Sequence, residues 1–462
     1  MRIPRIVLAG THSGVGKTTL ATGLMAALKE RGRPVQGYKV GPDYIDPSYH
    51  TAVTGRPSRN LDRWLLGNHL LPLFAQSSRG TWAVIEGVMG MFDGMKDSPG
   101  FGSTADIAKI LKSPVVLVVD ATAMSRSIAA LVHGFRTFDS GIYLAGVILN
   151  RVKSLAQEHV LREALVEIDM PVLGVIPREA GLKMPERHLG LVPYGERPMD
   201  EGFWAKLTEL CTNYLDLDAI EQIMQEAPEL DVPSPEPAME GKKKKTIRLG
   251  VAWDEAFLFY YQDALELAEQ YGFQLVLFSP LHDQKLPADL DSLFFGGGFP
   301  ELYLEALSSN HSFLASLKDF ARQGKPIYAE CGGYMYLGEF VKDFEGKSYS
   351  LAGLIPMYSE MTPRLQGLGY REGVFLQDTF LGTKGTVVRG HEFHYSRTIF
   401  EHSHKAAYHL FRGGVSERMD GFAGDNIVAS YLHINFAGHP ELLEYWSKNL
   451  GSNNLAKGHG DD

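Results

Sequence analysis

"IVLAGTHSGVGKTTLATGL", residues 6–24, decides the architecture of the first half of the chain. An apolar run of strand character enters a glycine-bearing turn and leaves through a stretch of helical character. Gly16-Lys17-Thr18 closes the turn. Backbone N–H groups in such a turn, with the field of a helix N-terminus behind them, make a cradle for phosphate. Lys17 is placed to reach the terminal phosphates of ATP, and Thr18 to offer its hydroxyl to Mg²⁺. Gly14, Gly16, Lys17, Thr18 and Thr19 are therefore the expected ATP-binding residues of this segment. A glycine turn with an incidental lysine is the plain alternative. Strand, glycines, lysine, threonine and helix in that order speak against it.

Outward from the loop, apolar runs recur with helix-sized gaps at 34–40, 82–87, 114–121, 144–150 and 171–177. Near-continuous Val, Ile and Leu suits strands covered on both faces, so the pattern predicts a doubly wound parallel-sheet α/β domain over 1–225. The texture then changes. "APELDVPSPEPAMEGKKKK" (227–245) is rich in Pro and Glu and ends in four lysines, which reads as a solvated linker over 226–245. A second α/β rhythm follows, with strands expected at 248–254, 273–280, 292–298, 325–331 and 429–436. This second domain is expected over 246–450, and residues 451–462 as a disordered tail.

The totals agree with two domains. A chain of 462 residues exceeds one ordinary core. A formal charge of −10 argues against a nucleic-acid partner. Two cysteines exclude a disulfide framework and fit a reducing, cytoplasmic setting. The N-terminus lacks the apolar core of a signal peptide, and no run of about 18 apolar residues predicts a membrane span.

Two acidic loops follow predicted strands. "YKVGPDYIDPSYH" (38–50) carries Lys39, Asp43 and Asp46; "VIEGVMGMFDG" (84–94) carries Glu86 and Asp93. Ligands of open α/β sheets bind outside the carboxyl ends of strands, so both loops should face the crevice that holds Lys17. Phosphoryl transfer needs carboxylates for Mg²⁺ and cations for the developing charge. Thr18, Asp43 and Glu86 are the metal candidates; Lys39, Asp43, Asp46 and Asp93 are candidates for substrate and phosphate. Solvated turns would also use Asp and Pro. Arg56, Arg59 and Arg63 form either an anion patch or a solvated helix face, and Asn150 ends a strand where its amide could read a nucleobase edge.

"KPIYAECGGYMYLG" (325–338) holds Cys331 between a strand and a helix N-terminus, a position that exposes Sγ and favours its thiolate. The N–H of Gly332 could receive an oxyanion, and "FFGGGFPELY" (294–303) offers Gly297 and Gly298 as further donors. His433 is the expected base. His391 and His394 look suited to substrate or structure. Cys331 as a small buried hydrophobe is the competing reading, and Cys211 sits at an ordinary helical core position.

The loop's Thr11, standing where a first glycine is usual, resembles dethiobiotin synthetases. Partition-type ATPases carry an extra lysine where this chain has His12, which weighs against a switch ATPase or scaffold with an idle second domain. "GTHSGVGKTT", "KVGPDYIDP", "NLDRW", "EGVMGMFDG", "GSTADIAK", "LNRV", "FSPLHD", "GGGFPELY", "AECGGYMYL", "GYREG" and "GHEFHYS" occur in that order. In this series the chain resembles the cobyrinic acid a,c-diamide synthases over residues 3 to 445. The sister family that makes cobyric acid differs at "GPDYIDP". The resemblance implies an ATP domain joined to a class I glutaminase domain. It also implies ATP- and glutamine-dependent amidation of the a and c acetates of a corrinoid, with Mg²⁺, through an acyl phosphate and channelled ammonia. Cys331 would be nucleophile and His433 base. Hydrogenobyrinic acid and nickel sirohydrochlorin would need the same motifs, and a homodimer is compatible with this reading. Triad glutaminases usually carry an acid two residues after the histidine, and this family often a second histidine; here that residue is Asn435.

Overall fold

The computed structural model describes residues 1–178, 186–187, 190–191, 194–195, 199–232 and 246–451. The chain divides into two units, Met1–Glu236 and Pro237–Asp462. Residues 452–462 of the expected tail, and residues 233–245 of the expected linker, lie outside the described residues, while Gly451 ends the helix Pro440–Gly451.

In the first unit, β1 (Arg5–Gly10) runs through the glycine turn into α1 (Lys17–Glu30). β2 (Val35–Val40), α2 (Asp46–Thr54), β3 (Arg59–Leu61) and β4 (Trp82–Glu86) follow. β5 (Val115–Asp120), β6 (Leu144–Val152) and β7 (Val172–Pro177) complete one sheet of order β3-β2-β4-β1-β5-β6-β7. Every pairing in it is parallel. A short antiparallel pair, β8 (Glu186–Arg187) with β9 (Gly190–Leu191), comes after it. From β1 the chain crosses to β2 on one side, then returns to β5 on the other. The carboxyl end of β1 is thus the switch point where a ligand crevice opens.

Helices cover the sheet closely. Leu24, Met25 and Leu28 of α1 share a core with Leu207, Leu210 and Cys211 of the helix Glu201–Tyr214. A Cβ on Gly23 would lie 2.4 Å from Cys211 Sγ, so the glycine lets the two helices meet. Burial pushes the Cys211 thiol up to about 12, which fits a core residue. Residues 226–232 continue along this unit: Leu230 N–H donates to Met1 O (2.9 Å) and Arg5 to Pro228 O (2.5 Å).

The second unit opens with β10 (Ile247–Ala252), β11 (Phe273–Phe278), β12 (Ser292–Phe295) and β13 (Ile327–Glu330). β14 (Phe340–Lys342), β15 (Ser348–Ser350), β16 (Tyr358–Met361), β17 (Gly367–Phe375), β18 (Val387–His394) and β19 (Ser396–Ile399) follow. The last are β20 (Tyr408–Arg412), β21 (Val415–Asp420), β22 (Phe422–Ala423), β23 (Ile427–Ser430) and β24 (His433–Ile434). The central sheet has the order β11-β10-β12-β13-β23-β22, parallel except at the β22 edge. Phe257, Phe278, Phe295, Phe313 and Tyr336 pack ring against ring beneath it.

One expected strand is corrected. Residues 429–436 do not form a single strand: β23 ends at Ser430 in the central sheet, and β24 joins the antiparallel sheet β21-β20-β17-β18-β24. The chain changes sheets within three residues, and that step delivers His433. No helix among the described residues is long and apolar enough to cross a membrane.

Candidate functional site

The first cluster lies at the carboxyl ends of β1, β2 and β4. Gly14 and Gly16 adopt left-handed φ values of 79° and 98°, which L side chains resist. A Cβ on Gly16 would also lie 2.5 Å from Asn150 Nδ2. The turn so formed puts Lys17, Thr18 and Thr19 in the first turn of α1. Lys17 is buried, and its Nζ donates to His12 O (3.2 Å) and Met89 O (2.5 Å). Burial, with Lys39 adding to it, pulls its pKa down to about 8.

Thr18 Oγ1 donates to Glu86 Oε1 (2.6 Å) and approaches Asp46 Oδ2 (3.3 Å). Between the same carboxylates lies Lys39 Nζ, 2.5 Å from Asp46 and 2.8 Å from Glu86. Burial works against the Lys39 charge, but Asp46, Glu86 and Asp43 outweigh it and hold the ammonium charged. Burial likewise opposes the Glu86 charge, and Lys39 and His50 reverse that, keeping Glu86 ionised.

The structure exchanges two expected places. Asp46, not Asp43, stands against Thr18. Asp43 Oδ1 instead accepts from the N–H groups of Ile45 (2.7 Å) and Asp46 (3.3 Å), shaping the turn into α2, while Oδ2 stays 4.0 Å from Lys39. Asp93 is exposed and accepts from Gly90 N–H (2.8 Å), which fixes the 87–94 loop. Asn150 donates to Val15 O (2.7 Å), so its amide braces the phosphate loop. Arg56, Arg59 and Arg63 do not share a helix face: Arg56 is in an exposed turn, Arg59 in β3, and Arg63 pairs with Asp106 (2.7 Å). The Thr18 hydroxyl with the Asp46 and Glu86 carboxylates is a hard-oxygen donor set of the kind Mg²⁺ prefers, so the residues present fit that ion.

Two residues here escaped the sequence reading. His50 is fully buried, with Nε2 2.8 Å from Glu86 Oε2 and Nδ1 3.2 Å from Ser58 Oγ. Its signal was its place four residues after Asp46, on the same face of α2. Arg151, at φ 62°, ties Asp120 (2.5 Å) to Gly14 O (2.8 Å).

The second cluster is built on strain. Cys331 has φ 46° and ψ −102° at the corner between β13 and the helix Gly332–Leu337. Its N–H donates to Ser430 O (2.8 Å), and its thiol faces Phe393 O at 3.9 Å. The residue is only 7% exposed. Two expectations are thereby corrected: Sγ is not exposed, and the resting thiolate is not favoured. Burial, then Glu301, Glu330 and Glu392, push the thiol up, and the Gly332 N–H offsets this only in part.

Glycines make the remaining space. A Cβ on Gly297 would lie 2.4 Å from His433 Cε1, and one on Gly298 2.0 Å from Ala256 O. A Cβ on Gly332 would come within 3.2 Å of Gly298 N. Gly297, Gly298, Gly332, Cys331 and His433 are thus gathered, as expected. His433 Nδ1 lies 3.6 Å from Glu330 Oε2. Its ring stacks on His391, which burial and then His433 keep neutral. His394 stacks on Tyr431 and bonds Ser396 O, a structural role. Asn435 Oδ1 accepts from Ala437 N–H (3.0 Å) and caps the turn Phe436–Gly438.

Comparison with known proteins follows this division. Residues 6–192 match the CobQ/CobB/MinD/ParA nucleotide binding domain, and residues 248–441 the CobB/CobQ-like glutamine amidotransferase domain. Among curated relatives, a cobyrinate a,c-diamide synthase of Listeria innocua is 43% identical over 95% of this chain and 98% of its own. One of Methanothermobacter thermautotrophicus is 41% identical, covering 96% of this chain and 99% of its own. One of Salmonella typhimurium is 43% identical, covering 95% and 96%.

Proposed function

The chain belongs to the cobyrinate a,c-diamide synthase family of glutamine-dependent amidating ligases, and from that premise we propose that it amidates the a and c acetate carboxylates of cobyrinic acid. The observation that carries the reading is the strained, glycine-walled Cys331 in a chain whose other unit gathers Lys17, Thr18, Lys39, Asp46 and Glu86. One cluster suits acyl chemistry on an amide. The other suits phosphoryl transfer.

In the glutaminase unit, Cys331 Sγ attacks the amide carbon of glutamine while its proton passes to His433. The oxyanion is received by the Gly332 and Gly298 N–H groups. Collapse breaks the C–N bond, and ammonia leaves with the proton His433 returns. Water then attacks the thioester, releasing glutamate and restoring the thiol.

In the nucleotide unit, a substrate carboxylate oxygen attacks the γ-phosphorus of ATP, giving an acyl phosphate and ADP. Ammonia attacks the acyl carbon, phosphate leaves, and the amide forms. Lys17 and Lys39 hold and neutralise the transferring phosphoryl group, while Asn150 and Arg151 brace the loop. Thr18, Asp46 and Glu86 would hold Mg²⁺, which supplies charge neutralisation at the phosphates. Because free ammonia is protonated in water, it reaches the acyl phosphate without release to solvent.

The test is purified protein with ATP, Mg²⁺, glutamine and, separately, cobyrinic acid, hydrogenobyrinic acid and nickel sirohydrochlorin, following macrocycle mass. Two amidations of cobyrinic acid are expected. Amidation of another macrocycle only would replace the substrate, and no mass change with any would overturn the function. Cys331→Ala should lose the glutamine-dependent reaction and keep the reaction with added ammonia.

A further inference from the structure

The acid that triad glutaminases place two residues after the histidine is Asn435 here, and its side chain is turned into its own 3₁₀ turn. Another carboxylate reaches the ring from the opposite direction in sequence. Glu330 is the residue immediately before the nucleophile, at the end of β13, and is 2% exposed. Its Oε2 lies 3.6 Å from His433 Nδ1. Its other oxygen, Oε1, accepts from the Tyr328 hydroxyl (2.7 Å) and from the N–H of Ile434 (3.0 Å), the residue after the histidine.

We infer that Glu330 is the positioning residue of the glutaminase site: it orients His433 through Nδ1 and balances the charge the ring acquires on taking the Cys331 proton. The inference rests on the glutaminase reading of Cys331 and His433. Four features carry it. The carboxylate is pinned at one oxygen by two donors, so its second oxygen has a fixed direction, and that direction is the ring. One of those donors belongs to the strand that carries His433, so carboxylate and imidazole share a frame. Other neighbours of the ring have other contacts: His391 lies against its face with Nδ1 bonded to the Tyr261 hydroxyl, Gly297 borders Cε1, and Asn435 Oδ1 accepts from the Ala437 N–H. Finally, a buried imidazolium without a counter-charge is costly.

At 3.6 Å the pair is longer than a hydrogen bond. Such contacts tighten when charge develops in the reaction complex. With Nδ1 turned to Glu330, Nε2 is the nitrogen that serves the thiol. The local logic is compact. Gly332 behind Cys331 and Glu330 before it place an oxyanion donor, the nucleophile and the histidine's partner in three consecutive residues.

The experiment measures glutamine hydrolysis by the full chain with ATP present, for wild type, Glu330→Gln, His433→Ala and the double variant. Gln keeps an acceptor for Tyr328 and Ile434 and removes the charge. The expected result is a kcat lower by about 10²-fold or more with KM changed less than threefold, no added loss when Glu330→Gln is placed on His433→Ala, and unchanged ammonia-dependent amidation. A kcat fall under tenfold, a loss confined to KM, or losses that add in the double variant would each overturn the inference. Should Glu330→Gln fail to fold, Tyr328→Phe releases one pin of the carboxylate and must lower kcat at constant KM; no effect is equally fatal. Cys331→Ala separates the two levels. If it hydrolyses glutamine as wild type does, the glutaminase reading falls and this inference with it; if it is inactive while Glu330→Gln is normal, only the inference falls.

Discussion

The two clusters solve opposite problems. At the nucleotide loop, buried Lys39 lies within hydrogen-bond distance of Asp46 and Glu86, and His50 within that of Glu86, all four on regular strands or on α2. At Cys331 the strained backbone is the main investment, with φ 46° at the nucleophile and glycines where any side chain would collide, and the thiol is held neutral. A site for phosphoryl transfer must meet a highly charged ligand, so it stores compensating charge in advance. A site for a neutral amide needs an oxyanion space and a nucleophile at a fixed angle, and burial of the thiol follows. Electrostatics dominates the first, geometry the second. Mutations should therefore harm the first by removing charge or its support, and the second also by adding volume.

The largest effect is expected from one methyl group. Gly297→Ala would set a Cβ 2.4 Å from His433 Cε1, and the histidine must move. Glutamine hydrolysis should fall by about 10²–10³-fold, comparable to losing an oxyanion donor, with ammonia-dependent amidation and ATP binding unchanged. Steady-state kinetics with glutamine and then with ammonia checks this. If the two activities fall together, the two clusters do not act independently.

A smaller effect belongs to the other cluster. His50→Asn removes the partner that holds Glu86 Oε2 while Oε1 faces Thr18 and Lys39. Groups that orient a metal-binding carboxylate are typically worth about 10–100-fold. The Mg²⁺ requirement of ammonia-dependent amidation should rise by that factor, and Mn²⁺ binding in the presence of ATP, read by paramagnetic resonance, should weaken in parallel. Glutamine hydrolysis should stay within twofold of wild type. A loss of hydrolysis instead would mean that His50 acts on folding at large.

Much of the first unit was legible because its strands are buried on both faces and written largely as apolar runs. β3 was missed because Arg59-Asn60-Leu61 is short and polar, and its pairing with β2 is set by the sheet, not by its composition. The antiparallel sheet of the second unit was missed for a related reason. β17 alternates buried and exposed residues and carries several glycines, so it lacks the apolar run that marked the other strands. The motif residues themselves stand out in the sequence, since loops that cradle phosphate or bend around a cysteine need glycine at fixed places. What stayed hidden was which acid faces which partner. Asp43 and Asp46 are three apart in sequence and look alike there; only the turn into α2 decides that Asp46 points inward. Glu330 was visible as the acid ending an apolar strand, yet its approach to His433 depends on the chain switching sheets between Ser430 and His433.

That switch also defines the smallest test. Asn435 occupies the sequence position at which an acid is usual, and the structure gives it a capping task instead: its Oδ1 receives the Ala437 N–H in a turn whose Phe436 and Ala437 are buried. A cap of this kind is worth about 1 kcal/mol. Asn435→Ala should therefore lower stability by about that amount in urea unfolding of the full chain while leaving kcat for glutamine hydrolysis within twofold. The outcome discriminates because position and geometry make opposite claims. If position in sequence governs, removing the amide disorients His433 and kcat falls by orders of magnitude. If geometry governs, the histidine keeps its alignment, because the residue that faces Nδ1 lies a hundred residues earlier, next to the cysteine it helps to serve.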